Sequence, residues 1–322
     1  MSKFYEIIPL DTLFFRGSTP MEAGLMNAVS LFPPSESVIK GAFWTTYCKN
    51  NNKSFSEGLI KTKNSEGCIE EKIPFEVEGF FIKKSGVYYM PCPATWYYDS
   101  EKKVSSGKNL KGISLIEAKD VSAVMQKLGM KSSAGNIVFV NPKQDAKSLL
   151  GAWVSVNFFK KPKDTFGDTD ILFASDIFSI ENRTGVALDT NKKAKEGQLY
   201  SSSHIRLDEK VTLIIQLGDE IGLEGNGTIF LGGEKRISQY SLLKEGLFIE
   251  TEGGENAEFV SLMPIEATED SLKALVSSGK IITTAGWDLQ QGFHKSTTNW
   301  IPAGAVFNKK INNSCVAIIQ NK

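Results

Sequence analysis

Arginine is the scarcest charge in this chain. Lysine and arginine together number 37, yet only four are arginine: Arg16, Arg183, Arg206 and Arg236. Histidine is rarer still, with only His204 and His294, so a site built from several imidazoles is excluded. The four cysteines, Cys48, Cys68, Cys92 and Cys315, are scattered with no Cys-x-x-Cys pair. That argues against a disulfide framework and against a zinc knuckle. No apolar run approaches the roughly 18 residues of a membrane span. The opening MSKFYEIIPLDTLFF lacks the apolar core and small-residue cleavage site of a signal peptide. The reading is a cytoplasmic chain with reduced thiols, no membrane segment, no metal and no cofactor. Acidic and basic residues balance at 37 each, unlike a free-standing basic nucleic-acid binder. A locally basic groove remains open.

Catalytic signatures are also missing. SSGKN and SSGKI lack the upstream glycine and the hydroxyl of a phosphate-binding loop, and GLEGNGTIF lacks the third glycine of a dinucleotide fingerprint. Neither Gly-x-Ser-x-Gly nor His-Glu-x-x-His occurs.

What is present is a chain of 322 residues, 41% hydrophobic, enough for one large or two ordinary domains. KFYEIIPLDTLFF reads as a first strand and FPPSESVIKGAFWTTYCKN as a helix opened near Ser35 or Ser37, with Val38, Phe43, Trp44 and Tyr47 on its apolar side. FEVEGFFIKKSGVYYMP reads as two strands reversed at Ser-Gly, and VTLIIQLGD as another strand. A modest helix is expected over roughly 114–130, WVSVNFF and DILFASDIFSIE are expected to be extended, and a helix is expected from about Glu269 to Gly279. The order is irregular, which fits α+β with long insertions rather than a repeating βαβ series.

Three segments carry candidate chemistry. Lysine substitutes for arginine wherever a solvated point charge suffices, but it lacks the planar fork that grips phosphates and base edges. Codon bias in an AT-rich genome accounts for the lysine excess but not for the four positions that remain arginine. All four lie in or beside glycine-containing or finger-like segments. ENRTGVALDTNKKAKEGQLYSSSHIRL reads as a finger: Arg183 at its base, Lys192, Lys193 and Lys195 at a basic tip, Gly197 returning the chain, and Val186-Ala187-Leu188 as an apolar wedge. LGGEKR reads either as a tight turn or as a backbone cradle, with Gly232 and Gly233 approaching a sugar-phosphate that Lys235 and Arg236 neutralise. The helix opening around Ser37, Lys40 and Gly41 offers free N–H groups to a phosphate. His204 reads as a surface or base-stacking histidine, or less readily as a general acid or base.

IPLDTLFFRGSTPMEAG, LFPPSESVIKGAFWT, NRTGVALDTNKKAKEGQLYSSSHIRL, FLGGEKRISQY and AGWDLQQGFHKSTTNWIPAGAVF occur in this order. Together they resemble the third-subunit family of the type III-B CRISPR (Cmr) effector complexes, within the RAMP superfamily. The resemblance runs from residue 4 to about residue 307. It implies an α+β fold of two ferredoxin-like, RRM-like domains with long insertions and a protruding β-hairpin thumb. The expected division is residues 1–245, with the thumb at about 181–207, and residues 246–322. It implies a non-catalytic subunit that holds the 5′ tag of the CRISPR RNA, bridges the large polymerase/cyclase-like subunit to the backbone RAMP subunit, and meets target RNA only indirectly. The alternative within the superfamily is a metal-independent repeat endonuclease using His204 or Tyr200. The RNA-binding residues implied are Arg16, Lys40 and Gly41; the thumb residues Arg183, Asp189, Lys192, Lys193, Lys195, Gly197, Tyr200, His204 and Arg206; and the loop residues Gly232, Gly233, Lys235 and Arg236.

Overall fold

The computed structural model describes residues 2–15, 28–63, 69–100, 110–130, 137–139, 145–218, 221, 223, 225–247, 249, 257–284, 287–288, 293–294 and 297–318. The architecture is mixed α/β, mostly strands with few helices. The chain forms two compact units, each assembled from separate stretches. The first comprises Met1–Val77, Phe178–Gly246 and Ala285–Ser296; the second comprises Glu78–Ile177, Leu247–Thr284 and Thr297–Lys322.

In the first unit, strand Lys3–Pro9 lies between Val211–Leu217 and Ile237–Leu242, antiparallel to both. Asn226–Phe230 pairs with Ile237–Leu242 and is the edge of the sheet among the described residues. The first strand alternates only in part, because Phe4 is buried beside Tyr5. Tyr5 and Ile7 are buried, while Ile8 and Leu10 are exposed. The helix Glu36–Asn50 follows, with Ser35 at its N-cap position, although the Ser35 hydroxyl reaches Ser37 instead of a backbone N–H. The buried residues of that helix are Ile39, Ala42, Phe43, Trp44, Thr46 and Cys48, so Val38 and Tyr47 lie at the margin of the expected stripe. Phe43 meets Tyr5 edge-on at 5.2 Å. Burying a phenylalanine of this kind contributes roughly 1.5–3 kcal/mol.

A long hairpin, Phe178–Leu188 with Ala194–Leu207, belongs to the same unit. Its root is tied down: Leu13 bridges Ile205, and Ala28–Val29 pairs in parallel with Ser202–Ser203. Beyond Gly185 and Tyr200 the hairpin strands pair only with each other among the described residues.

In the second unit, Val77–Lys84 and Val87–Pro91 form a hairpin turned at Ser85 and Gly86, both at positive φ, as the Lys-Ser-Gly sequence anticipates. Trp153–Ser155 and Ile171–Leu172 extend this sheet. A second sheet runs Leu275–Ser277, Val306–Phe307, Phe259–Ser261, Cys315–Ala317, over a core that includes Phe259, Ile301, Phe307 and Cys315.

Several sequence expectations are corrected here. WVSVNFF is not wholly extended: after Trp153–Ser155 the Ser155 hydroxyl accepts the Phe158 N–H at 3.1 Å and opens a helix, Val156–Lys160. The helix expected over 114–130 is confined to Ser122–Lys127, because Leu115–Glu117 and Lys119–Asp120 are drawn into strand pairing. In DILFASDIFSIE a helical turn, Ala174–Ile177, separates two strands. The helix from Glu269 ends at Ala274, before Gly279, and is opened by a capping box between Thr268 and Ser271.

Candidate nucleic-acid interface

The hairpin root, the end of the first strand and the glycine-rich loop meet at one carboxylate. Asp11 accepts from Arg236 Nη1 at 2.9 Å, from Arg183 Nη2 at 3.2 Å and from Arg206 Nη2 at 3.3 Å. Glu181 takes the remaining edges of two of these forks, from Arg183 Nε at 2.9 Å and Arg206 Nε at 2.6 Å. Glu234 takes Arg236 Nη2. Three of the chain's four arginines thus form a knot with three acids. Arg16 lies outside the described residues.

Strand geometry explains the convergence. Residues opposite one another in the hairpin share a face, and Arg206, Glu181 and Arg183 fall on one side of it through the pairs Ser179–Arg206, Glu181–His204 and Arg183–Ser202. The Thr12 backbone N–H and the guanidiniums of Arg183 and Arg236 hold the Asp11 carboxyl below the usual carboxylate range, against a counter-effect of burial. Arg183 and Arg206 do the same for Glu181. Within the knot, the Arg206 side chain is 48% exposed and that of Arg236 only 18%. Arg206 therefore faces solvent, while Arg236 is embedded, with its Nε finding no partner among the described residues.

The structure reassigns several sequence candidates. His204 is not a surface histidine: it is fully buried, stacked on Phe14 at 4.9 Å, with Nδ1 3.2 Å from the Thr12 hydroxyl and Nε2 3.0 Å from that of Ser202. Burial pushes its imidazole below the ordinary histidine range, with Glu234 opposing. Lys40 is held by Glu36 at 2.8 Å and by Glu76, which keeps its ammonium charged despite burial. Gly41, on the same helix, has open space where a Cβ would point.

Asp189 builds the hairpin turn. Its Oδ1 accepts the N–H groups of Asn191 and Lys193, both at 2.8 Å, and Lys192 turns at φ +60°. Gly197 lies inside the return strand, so it does not reverse the chain as expected. Lys192, Lys193 and Lys195 are exposed at and beside the tip. Tyr200 lies across Gly185, where an added Cβ would come within 2.3 Å of the ring. Val186, Leu188 and Leu199 stand 38%, 55% and 49% exposed on the outer hairpin. Sequence reasoning named the first two; Leu199, which pairs with Val186, was missed.

In the glycine-rich loop, Gly232 has φ +83°, and a Cβ there would meet the Phe14 carbonyl oxygen at 2.5 Å. The Gly233 N–H donates to that same oxygen at 2.7 Å. Close packing against Phe14 and Phe15, past the end of the first strand, therefore demands this glycine pair. Lys235 is exposed at φ +51°. His294 pairs with Trp287 in a short hairpin. No group of metal-ligating residues occurs among the described residues.

The chain is thus a strand-dominated α/β protein whose long hairpin is held at its root by arginines. Residues 5–258 match the family described as CRISPR-associated protein (Cas_Cmr3), and the chain belongs to that family. None of the curated proteins matches it. Among solved structures it is similar in fold to a chain of the type III-B Cmr-beta complex bound to cognate target RNA and AMPPnP, at 18% identity and TM-score 0.53, covering 94% of this chain and 85% of that one. A second such structure, bound to cognate target RNA, gives 18% identity and TM-score 0.53 over 95% and 86% of the two chains. No helix among the described residues is long and apolar enough to cross a membrane.

Proposed function

We propose that this protein is a non-catalytic subunit of a type III-B CRISPR RNA-guided effector complex. In this role it binds the 5′ tag region of the CRISPR RNA and bridges the large polymerase/cyclase-like subunit to the backbone RAMP subunit. Family membership supports the complex. The observation that carries the RNA-binding role is the convergence of Arg183, Arg206 and Arg236 on Asp11 at the root of a hairpin with a basic, apolar-sided outer half. The fold we infer beneath it is a pair of ferredoxin-like parts; a central first strand, flanked by two antiparallel neighbours, and the helix Glu36–Asn50 whose Phe43 packs on its Tyr5 support the first of them.

The RNA contacts divide by exposure. Lys192, Lys193, Lys195, Lys235 and Arg206 face solvent and neutralise phosphates. Val186, Leu188, Leu199 and Tyr200 offer surface on which displaced bases rest. Arg183 and Arg236 hold the hairpin root to the first strand and the loop. Gly41 leaves the long helix open to a backbone, and Arg16 is proposed as a further contact. His204, Lys40, Asp189, Gly232 and Gly233 shape the surface from within. A buried His204, with both ring nitrogens engaged by hydroxyls, offers no support to the endonuclease alternative.

The test is the salt dependence of guide binding. For single strands the slope of log affinity against log salt is about −0.7 per neutralised phosphate. Replacing Lys192, Lys193 and Lys195 with alanine should therefore flatten the slope by about 2 without altering the fold. An unchanged slope would remove the thumb tip from the interface.

A further inference from the structure

The edge strand Asn226–Phe230 has a second side that the RNA-binding role does not use. Leu231 N–H donates to Arg236 O at 2.9 Å and Leu242 N–H to Gly225 O at 2.6 Å. With the register Asn226–Ser241 to Phe230–Ile237, these bonds fix the alternation of the ladder. Gly225, Gly227, Ile229 and Leu231 turn their backbone groups inward to the neighbouring strand. Asn226, Thr228 and Phe230 turn theirs outward, and no described strand pairs with them.

That outward edge borders a groove of about 240 Å³. One wall is the edge strand; the other is the C-terminal half of the long helix, with Thr45, Lys49 and Asn50. The Tyr240 ring lines the groove across Gly227, where an added Cβ would come within 2.8 Å of it. Natural sheets protect an edge with lysine, proline, a bulge or an inward charge. The strand Asn-Gly-Thr-Ile-Phe carries none of these, and Phe230 is 42% exposed at its end.

We propose that this edge is a docking site for an extended acidic segment of a partner polypeptide, bound by strand addition. A strand supplies both donors for the outward carbonyls and acceptors for the outward N–H groups. A ribose-phosphate chain offers only its 2′-hydroxyls as backbone donors and lacks the alternating amide N–H and C=O of a strand. Charge selects the class of strand: the groove lining holds one cation, Lys49, and no acid, and Lys49 Nζ stands 5.8 Å from the Phe230 ring centroid. An incoming strand that places a carboxylate toward Lys49 and a β-branched side chain against Phe230 satisfies both walls.

The probe is a short capped peptide alternating valine with glutamate, offered at up to millimolar concentration to the full chain. A version with lysine in place of glutamate and an oligouridylate serve as competitors. Binding is read by fluorescence anisotropy and by amide hydrogen exchange over residues 226–230. The acidic peptide should bind and slow exchange there, and Lys49→Glu should reverse the preference toward the lysine peptide. Thr228→Pro removes an N–H that the ladder does not use. It should leave Tm within a degree or so of the parent and weaken the acidic peptide by about tenfold or more. Occupancy of this edge by oligouridylate, by a second copy of the chain, or by neither peptide would overturn the proposal, as would equal binding of both peptides to the parent. Loss of guide binding by the thumb-tip variant leaves this test untouched.

Discussion

Gly41→Ala separates what the fold requires from what a ligand requires. Gly41 lies inside the helix Glu36–Asn50, at helical geometry, with nothing within 4 Å of the position a Cβ would take. Alanine is favoured over glycine in a helix interior by roughly 0.8–1.0 kcal/mol, and here no clash offsets that gain. Unfolding should therefore shift upward by roughly 2–4 °C for a unit of this size. The guide interface makes the opposite demand: if an RNA backbone closes on the helix at Gly41, a methyl group keeps it away. The same substitution should then raise Tm and lower guide affinity. Differential scanning fluorimetry and a filter-binding titration on one preparation read both quantities. A fall in Tm would refute the open-space reasoning. A rise in Tm with unchanged affinity would remove Gly41 from the interface.

Other substitutions probe the supports of the site. Gly232→Ala puts a side chain at φ +83° and against the Phe14 carbonyl, so strain of roughly 1–3 kcal/mol adds to a comparable overpacking cost. The variant should lose several degrees of Tm, measured by circular dichroism, whereas Gly185→Ala should lose little because only the tip of the Tyr200 ring must swing aside. His204 gives a pH signature. Its folded-state pKa is depressed, so the folded protein stays neutral at this position while the unfolded chain takes up a proton below about pH 6.5. Its contribution to stability is therefore complete above that value and declines as pH falls toward the lowered one. Denaturant titrations across this window should show the slope in the parent and a flatter one in His204→Asn.

The sequence made the secondary elements of the first unit legible because their periodicity is strong. The long helix and Val211–Leu217 stand where patterning placed them, as does the Ser85–Gly86 reversal of the second unit, while the first strand ends at Pro9 and not at Phe15 as KFYEIIPLDTLFF suggested. Two of the misread elements, WVSVNFF and DILFASDIFSIE, are short and largely apolar, whereas the helices expected over 114–130 and from Glu269 to Gly279 were overextended. WVSVNFF offers no period to separate strand from helix, and only the Ser155 cap decides where one ends. The arginine site was half legible. Scarcity marked Arg183, Arg206 and Arg236, but their shared partner, Asp11, stands 225 positions from Arg236 and resembles any other aspartate. Glycines misled in a consistent way. The Gly232–Gly233 pair looks like an opening for a ligand, yet its space is taken by Phe14 and Phe15, and Gly197, expected to return the chain, lies inside a strand. A histidine next to a basic finger reads as exposed; the stacked Phe14 ring that buries it is 190 residues away in sequence.

The central claim is that this chain holds a CRISPR RNA by its 5′ tag within a Cmr-type assembly. Native purification of the tagged protein, with sequencing of the bound RNA and identification of co-purifying proteins, tests it most directly. Short RNAs sharing one 5′ end should be recovered together with several RAMP-superfamily partners, and that RNA should be lost from the Lys192, Lys193, Lys195→Ala variant. A protein recovered free of both RNA and partners would contradict it.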